Sequence, residues 1–190
     1  MKQFIMTRST NGRIMDTMIH LESHGIYPVI VECENVKIPH INTLLTLQNI
    51  IKENIDEENI LIFEDDVRLY SSFNADELIS QNEIKFSVIS TGSFSTGKIR
   101  KSGSDQIPYT TFFYGSQGVI YNRSVYNFFL GLKGDYIDTV CRFLPNVGIT
   151  IPFLTYQVDY NSPNKDGHII NRANHFDREN GKLRMQLIKI

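Results

Sequence analysis

The sequence predicts a single α/β domain with a mostly parallel central sheet flanked by helices, and three observations carry that expectation. Residues 2–33 read as strand, helix, strand, the spacing of a βαβ unit whose strands lie parallel. The run Ile60-Leu61-Ile62-Phe63 is continuously apolar, as in a strand covered on both faces. Over 190 residues the composition is 41% hydrophobic and 21% charged, ordinary for a globular domain with one core.

Taken in order, Lys2 to Met6 is a first strand and Thr7 to Gly12 a polar turn. Ile14, Met15, Met18 and Ile19 share one helical face, with Gly25 as the stop. Pro28 to Cys33 forms the second strand. Ile41, Leu44, Leu45, Gln48 and Ile51 follow helical spacing, and that helix runs to about Asn54. Asp56-Glu57-Glu58 is a solvated turn leading into the buried strand. Phe73 to Ile79 reads as a short helix and Phe86 to Ser90 as a strand.

Residues 91–108 then lose any core pattern, being rich in glycine and serine with Lys98, Arg100 and Lys101 clustered. Tyr109 to Tyr114 has the content of one strand. Val125, Phe128, Phe129 and Leu132 make the apolar face of a helix. A further helix opens at Gly134 to Asp138 with Asp135 as its N-cap, and Pro145 ends it. Ile149 to Leu154 and Tyr156 to Ser162 close the domain, expected over residues 1–162. Residues 163–190 form a polar tail packing on or near the active site.

Charge narrows the function. A net charge of −2 and a pI near 6.2 leave no general footprint for nucleic acid, so only the Lys98, Arg100 and Lys101 cluster could meet phosphates. Cys33 and Cys141 lack metal-ligand spacing and are expected as reduced thiols. No secretory signal opens the chain, and no apolar run reaches about 18 residues. The expectation is a cytoplasmic protein without a membrane span.

The chemistry concentrates where the buried strand ends, in Glu64-Asp65-Asp66, with no basic residue along the chain until Arg68. Carboxylates this close repel one another unless a cation or a catalytic role compensates. Hard oxygens at a strand's carboxyl end suit Mg²⁺ or Mn²⁺ completed by a phosphate-bearing ligand. In parallel sheets that end is where ligands bind, and Thr7, Arg8 and Ser9 stand there as nucleotide contacts.

Leu61-Ile62-Phe63-Glu64-Asp65-Asp66-Val67 resembles the hydrophobic-Glu-Asp-Asp-Val signature of glycosyltransferases related to family 25, the lipopolysaccharide-type sugar transferases with a GT-A (Rossmann-like) fold. The resemblance implies a divalent metal and a nucleotide-sugar donor, with Asp66 as metal ligand. Asp65 or Glu64 would then contact the ribose, or the metal through water. It further implies that Gly115 to Tyr121 brings Gln117 and Gly118 close to the sugar. An Asp at a helix entry, Asp138 or Asp135, would take the acceptor's proton. A late histidine, His168 or His175, would supply a further metal ligand. Three classes follow: a transferase to a glycan or lipid-linked acceptor, or to a hydroxylated DNA base as in phage enzymes; a metal-dependent nuclease or phosphotransferase; or a non-catalytic nucleotide-sugar-binding module.

Overall fold

The computed structural model describes residues 1–8, 12–33, 38–82, 85–158, 171–177 and 182–188. Strand β1 (Lys2–Thr7) is followed by α1 (Gly12–Ser23), β2 (Val29–Glu32), α2 (Pro39–Glu53) and β3 (Asn59–Glu64). Both β2 and β3 pair with β1 in parallel. The next elements are β4 (Val67–Leu69), α3 (Ala75–Asn82) and β5 (Val88–Ser90). Four two-residue strands follow: β6 (Ser95–Thr96), β7 (Ile99–Arg100), β8 (Tyr109–Thr110) and β9 (Phe113–Tyr114). Then come β10 (Gly118–Asn122), the short helices α4 (Tyr126–Leu130) and α5 (Ile137–Val140), β11 (Val147–Ile149) and β12 (Thr155–Gln157). Strands β13 (Asn171–Asp177) and β14 (Lys182–Ile188) form an antiparallel hairpin, with β13 beside β12 and β14 beside β6.

The main sheet has eight strands in the order β2-β1-β3-β10-β5-β11-β8-β7. Only β10 and β8 run against the others, so the sheet is mostly parallel. Alternation along the strands sends side chains into two cores. Phe4, Met6, Ile60 and Ile62 join Leu44, Leu47 and Ile51 of α2, Phe129 of α4 and Val140 of α5 on one face. Ile5, Leu61 and Phe63 join Ile14 and Leu21 of α1 and Ala75 of α3 on the other. Each fully buried Leu, Ile or Phe contributes about 1.5–3 kcal/mol. A strand buried on both faces needs the unbroken apolar run that β3 has.

Several expectations are corrected. Tyr109 to Tyr114 is not one strand: β8 joins the main sheet while β9 pairs with β6. The glycine-rich stretch, without a core pattern in sequence, carries β6 and β7. The helix expected from Gly134 starts at Ile137 instead, with Tyr136 as its N-cap and no side-chain cap bond. Asp135 is therefore exposed and caps nothing. The tail carries a hairpin that its polar composition did not announce.

Candidate functional site

The acidic turn lies where β3 leaves the sheet beside the end of β1, with Met6 paired to Glu64. Helix α1 holds that turn from one side through residues spaced at i, i+4 and i+7. Arg13 Nη2 lies 2.6 Å from Asp65 Oδ1 and also pairs with Asp66 Oδ2. Thr17 Oγ1 donates to the Asp65 carbonyl oxygen (2.7 Å), and Arg68 Nη1 donates to Thr17 Oγ1 (2.7 Å). The Leu69 amide donates to His20 Nε2 (2.9 Å). Thr7 Oγ1 at the end of β1 donates to the other oxygen of Asp65 at 2.8 Å. Gln157 of β12 donates to Asp66 Oδ2 at 2.5 Å.

Asp66 is 4% exposed, and its Oδ1 is buried with no hydrogen-bond partner. Burial pushes its carboxyl up to about 6, against the opposing pull of Arg13 and Gln157. Glu64 is pushed up to about 7, first by burial and then by the charge of Asp66. Ser116 Oγ donates to Glu64 Oε1 at 2.5 Å, which works the other way.

A cavity of about 550 Å³ opens at this end of the sheet. Glu64 and Gln157 line it with Arg8 from the end of β1, Gly115 and Ser116 before β10, and Asp138 in the first turn of α5. Pro39, His40 and Thr43 of α2, together with Phe94, Tyr114, Tyr136 and Ile137, complete the wall. Asp138 is fixed by two backbone donors, the Gly115 amide to Oδ2 (3.1 Å) and the Thr139 amide to Oδ1 (2.8 Å). Gly115 has φ +96°, and a Cβ there would come within 2.7 Å of Gln117 Nε2. Glycine is what lets the chain turn here and offer its amide to Asp138.

Of the residues the sequence singled out, Arg8, Glu64 and Asp138 therefore meet in one cavity. Thr7, Asp65 and Asp66 stand behind its wall in the Arg13 network. Gln117 and Gly118 are buried and do not line it; the Gln117 carbonyl accepts the Glu64 amide at 3.3 Å. Asp135 is outside it, as are the exposed Lys98, Arg100 and Lys101. Ser9 and His168 lie outside the described residues, and His175 lies on β13. Arg13 is the residue that sequence reasoning missed. Its signal was a cation in the first turn of a helix, where the macrodipole disfavours one unless a carboxylate waits there.

Glu64 and Asp66 leave more oxygen for a divalent ion than Asp65 does. Both oxygens of Asp65 already have partners, whereas Asp66 keeps an orphaned Oδ1 beside a second crowded carboxylate. Among the described residues no group of three His, Cys, Asp or Glu side chains is arranged to hold a metal. Two carboxylates with substrate phosphates and water are the usual set for Mg²⁺.

A mostly parallel sheet flanked by helices on both faces, with an acidic turn at its carboxyl edge, defines a GT-A type fold. A glycosyltransferase involved in glycosylating the major capsid of PBCV-1 is similar at a TM-score of 0.50 and 10% identity, covering 85% of this chain and 95% of that one. A197 from STIV is similar at a TM-score of 0.53 and 13% identity, covering 88% of this chain and 100% of that one. At such identities the likeness is one of fold. No family model matches the chain, and no curated protein matches it. Among the described residues no helix is long and apolar enough to cross a membrane.

Proposed function

We propose that the chain is a glycosyltransferase moving a sugar from a nucleotide-sugar donor to an acceptor hydroxyl, with residues 1–162 as the transferase domain and the tail lying against it. The observation that supports this most is the convergence of Glu64, Asp138 and Arg8 on one cavity at the carboxyl end of parallel strands. The fold shared with a capsid glycosyltransferase and the resemblance of the Glu64-Asp65-Asp66-Val67 run to family 25 enzymes support it further.

In this reading Arg8 neutralises the donor's diphosphate. Asp138, oriented by the Gly115 and Thr139 amides, accepts the acceptor's hydroxyl proton. The freed oxygen bonds to the anomeric carbon as that carbon's bond to the phosphate oxygen breaks, and the nucleoside diphosphate departs. Glu64 and Asp66 would hold a divalent ion, which when bound supplies Lewis-acid stabilisation to the departing diphosphate. Ser116 keeps Glu64 in place.

A glycan or lipid-linked acceptor is better supported than a DNA base. The exposed cations that would follow a phosphate backbone, Lys98, Arg100 and Lys101, are off the cavity wall. The test is to incubate the protein with a panel of nucleotide-sugars and Mn²⁺ and assay released nucleoside diphosphate. Release that depends on Asp138 supports the reading. Nucleic-acid cleavage, or donor binding without turnover, would replace it with a nuclease or a binding module.

A further inference from the structure

One wall of the cavity has no part in the steps above. Tyr136, the residue before α5, stacks on His40 at the start of α2 with ring centroids 4.1 Å apart and planes within 19°. Tyr136 is nevertheless 58% exposed, and it lines the cavity. One face of its ring is thus fixed against the imidazole while the other stays open. Tyr114, 41% exposed, and Phe94 stand on the same wall. Two residues beyond Tyr136 comes Asp138, a hydroxyl acceptor held by two backbone amides.

We infer that this aromatic wall is the acceptor subsite, and that it takes an uncharged saccharide ring stacked on the open face of Tyr136. The inference rests on the transferase reading and adds the class of its acceptor. A pyranose presents one face of C–H groups to an aromatic ring and a rim of hydroxyl donors to carboxylates, which are acceptor-only groups. Tyr136 beside Asp138 supplies both. The Asp138 carboxylate also argues against a phosphodiester on this wall, since it repels one. Arg8, the cation lining the cavity among the described residues, draws the donor's phosphates to the end of β1. The His40 stack holds the tyrosine ring before the ligand arrives, which lowers the ordering cost of binding.

The test uses the full chain with methyl β-glycosides of glucose, galactose, xylose and N-acetylglucosamine as probes, read by saturation-transfer NMR without donor. At least one glycoside is expected to receive saturation at its ring C–H protons. That signal should fall at least fivefold in Tyr136→Ala and persist in Tyr136→Phe, which keeps the ring and drops the hydroxyl. Nucleoside-diphosphate binding, measured by calorimetry, should be unchanged in both variants. Circular dichroism checks folding, and Tyr114→Ala gives a second, independent loss. Failure of every glycoside to bind the wild type, equal binding by Tyr136→Ala, or weakened nucleoside-diphosphate binding in Tyr136→Ala would overturn the subsite. Preferential contact with a single-stranded oligonucleotide would overturn it too. Failure of the wild type to bind any nucleotide-sugar would instead sink the transferase reading, because the saccharide measurement needs no donor.

Discussion

The guanidinium of Arg13 bridges Asp65 and Asp66 from the first turn of α1, so the crowded charge at the end of β3 is balanced from within the chain. Removing one partner of such an enclosed cluster strands the other charge. Arg13→Ala is expected to cost about 3 kcal/mol in urea unfolding without divalent ions. Added Mn²⁺ should restore more stability to this variant than to the wild type, since the ion then meets uncompensated carboxylates. An unchanged unfolding midpoint would mean that the bridge carries no stability.

Glu64 also sets a pH dependence. Its folded-state value of about 7 is above its ordinary 4.5, so the native state holds the proton more tightly than the unfolded chain. The associated stabilisation is complete below about pH 4.5 and is lost as pH rises through about 7. Asp66 adds the same sign between 3.8 and about 6. The unfolding free energy should therefore fall from pH 5 to pH 8 as these groups ionise, by an amount on the order of 3 kcal/mol, and the melting temperature with it. Glu64→Gln should flatten most of that slope.

Metal binding should release protons. A cation held by Glu64 and Asp66 requires both to be ionised, and near pH 6.5 Glu64 is still largely protonated. Calorimetry of Mn²⁺ binding in two buffers of different ionisation enthalpy reads that release directly. Glu64→Gln should lose most of it, leaving the smaller share from Asp66, along with most of the affinity. Proton release undiminished in the variant would move the ion elsewhere.

Asp138→Asn preserves size and cannot accept the acceptor's proton. Sugar transfer is expected to drop by about 10²–10⁴. Donor affinity should stay near wild type, while stability falls by about 0.5–2 kcal/mol because the amide nitrogen cannot accept from one of the Gly115 and Thr139 amides. A variant that transfers at the wild-type rate would remove Asp138 from the chemistry.

Gly118 separates a packing role from a ligand role. A Cβ there would lie 2.4 Å from Thr91 Oγ1 and 3.1 Å from Phe63 Cδ1, inside the sheet. Gly118→Ala is expected to cost about 1–3 kcal/mol by overpacking, while the folded fraction keeps its donor affinity. A large loss of affinity at unchanged stability would instead put the donor sugar against this glycine.

Some of this was legible in the chain, and the reason differs by element. The buried strand β3 announced itself because burial on both faces demands an unbroken apolar run, and Ile60 to Phe63 supplies one. The first βαβ unit was legible from spacing alone. Pairing partners were not: nothing in Gly118 to Asn122 says that it inserts antiparallel between β3 and β5. The same limit hid Arg13, because reading along the chain finds no cation near Asp65 until Arg68, whereas the fold brings one from α1. Asp135 misled for a local reason. It has the chemistry of a cap, yet Tyr136 takes the N-cap position of α5.

The reversed direction of β10 has an effect on how this molecule can change. Because β10 descends between ascending neighbours, the residues before it surface on the same rim as the residues after β1 and β3. Ser116 and Gly115 reach Glu64 and Asp138 from that side, and they belong to a segment that also carries Phe94 and Tyr114. Substituting the faces of this bank, Phe94 and Tyr114, would retailor one side of the cavity, whereas Thr91, Ile107 and Phe113 of the same stretch stay buried in the fold. The arginine brace on Asp65 and Asp66 is anchored in α1, β1 and β3 and is independent of that bank, whereas Glu64 is tied to it through Ser116.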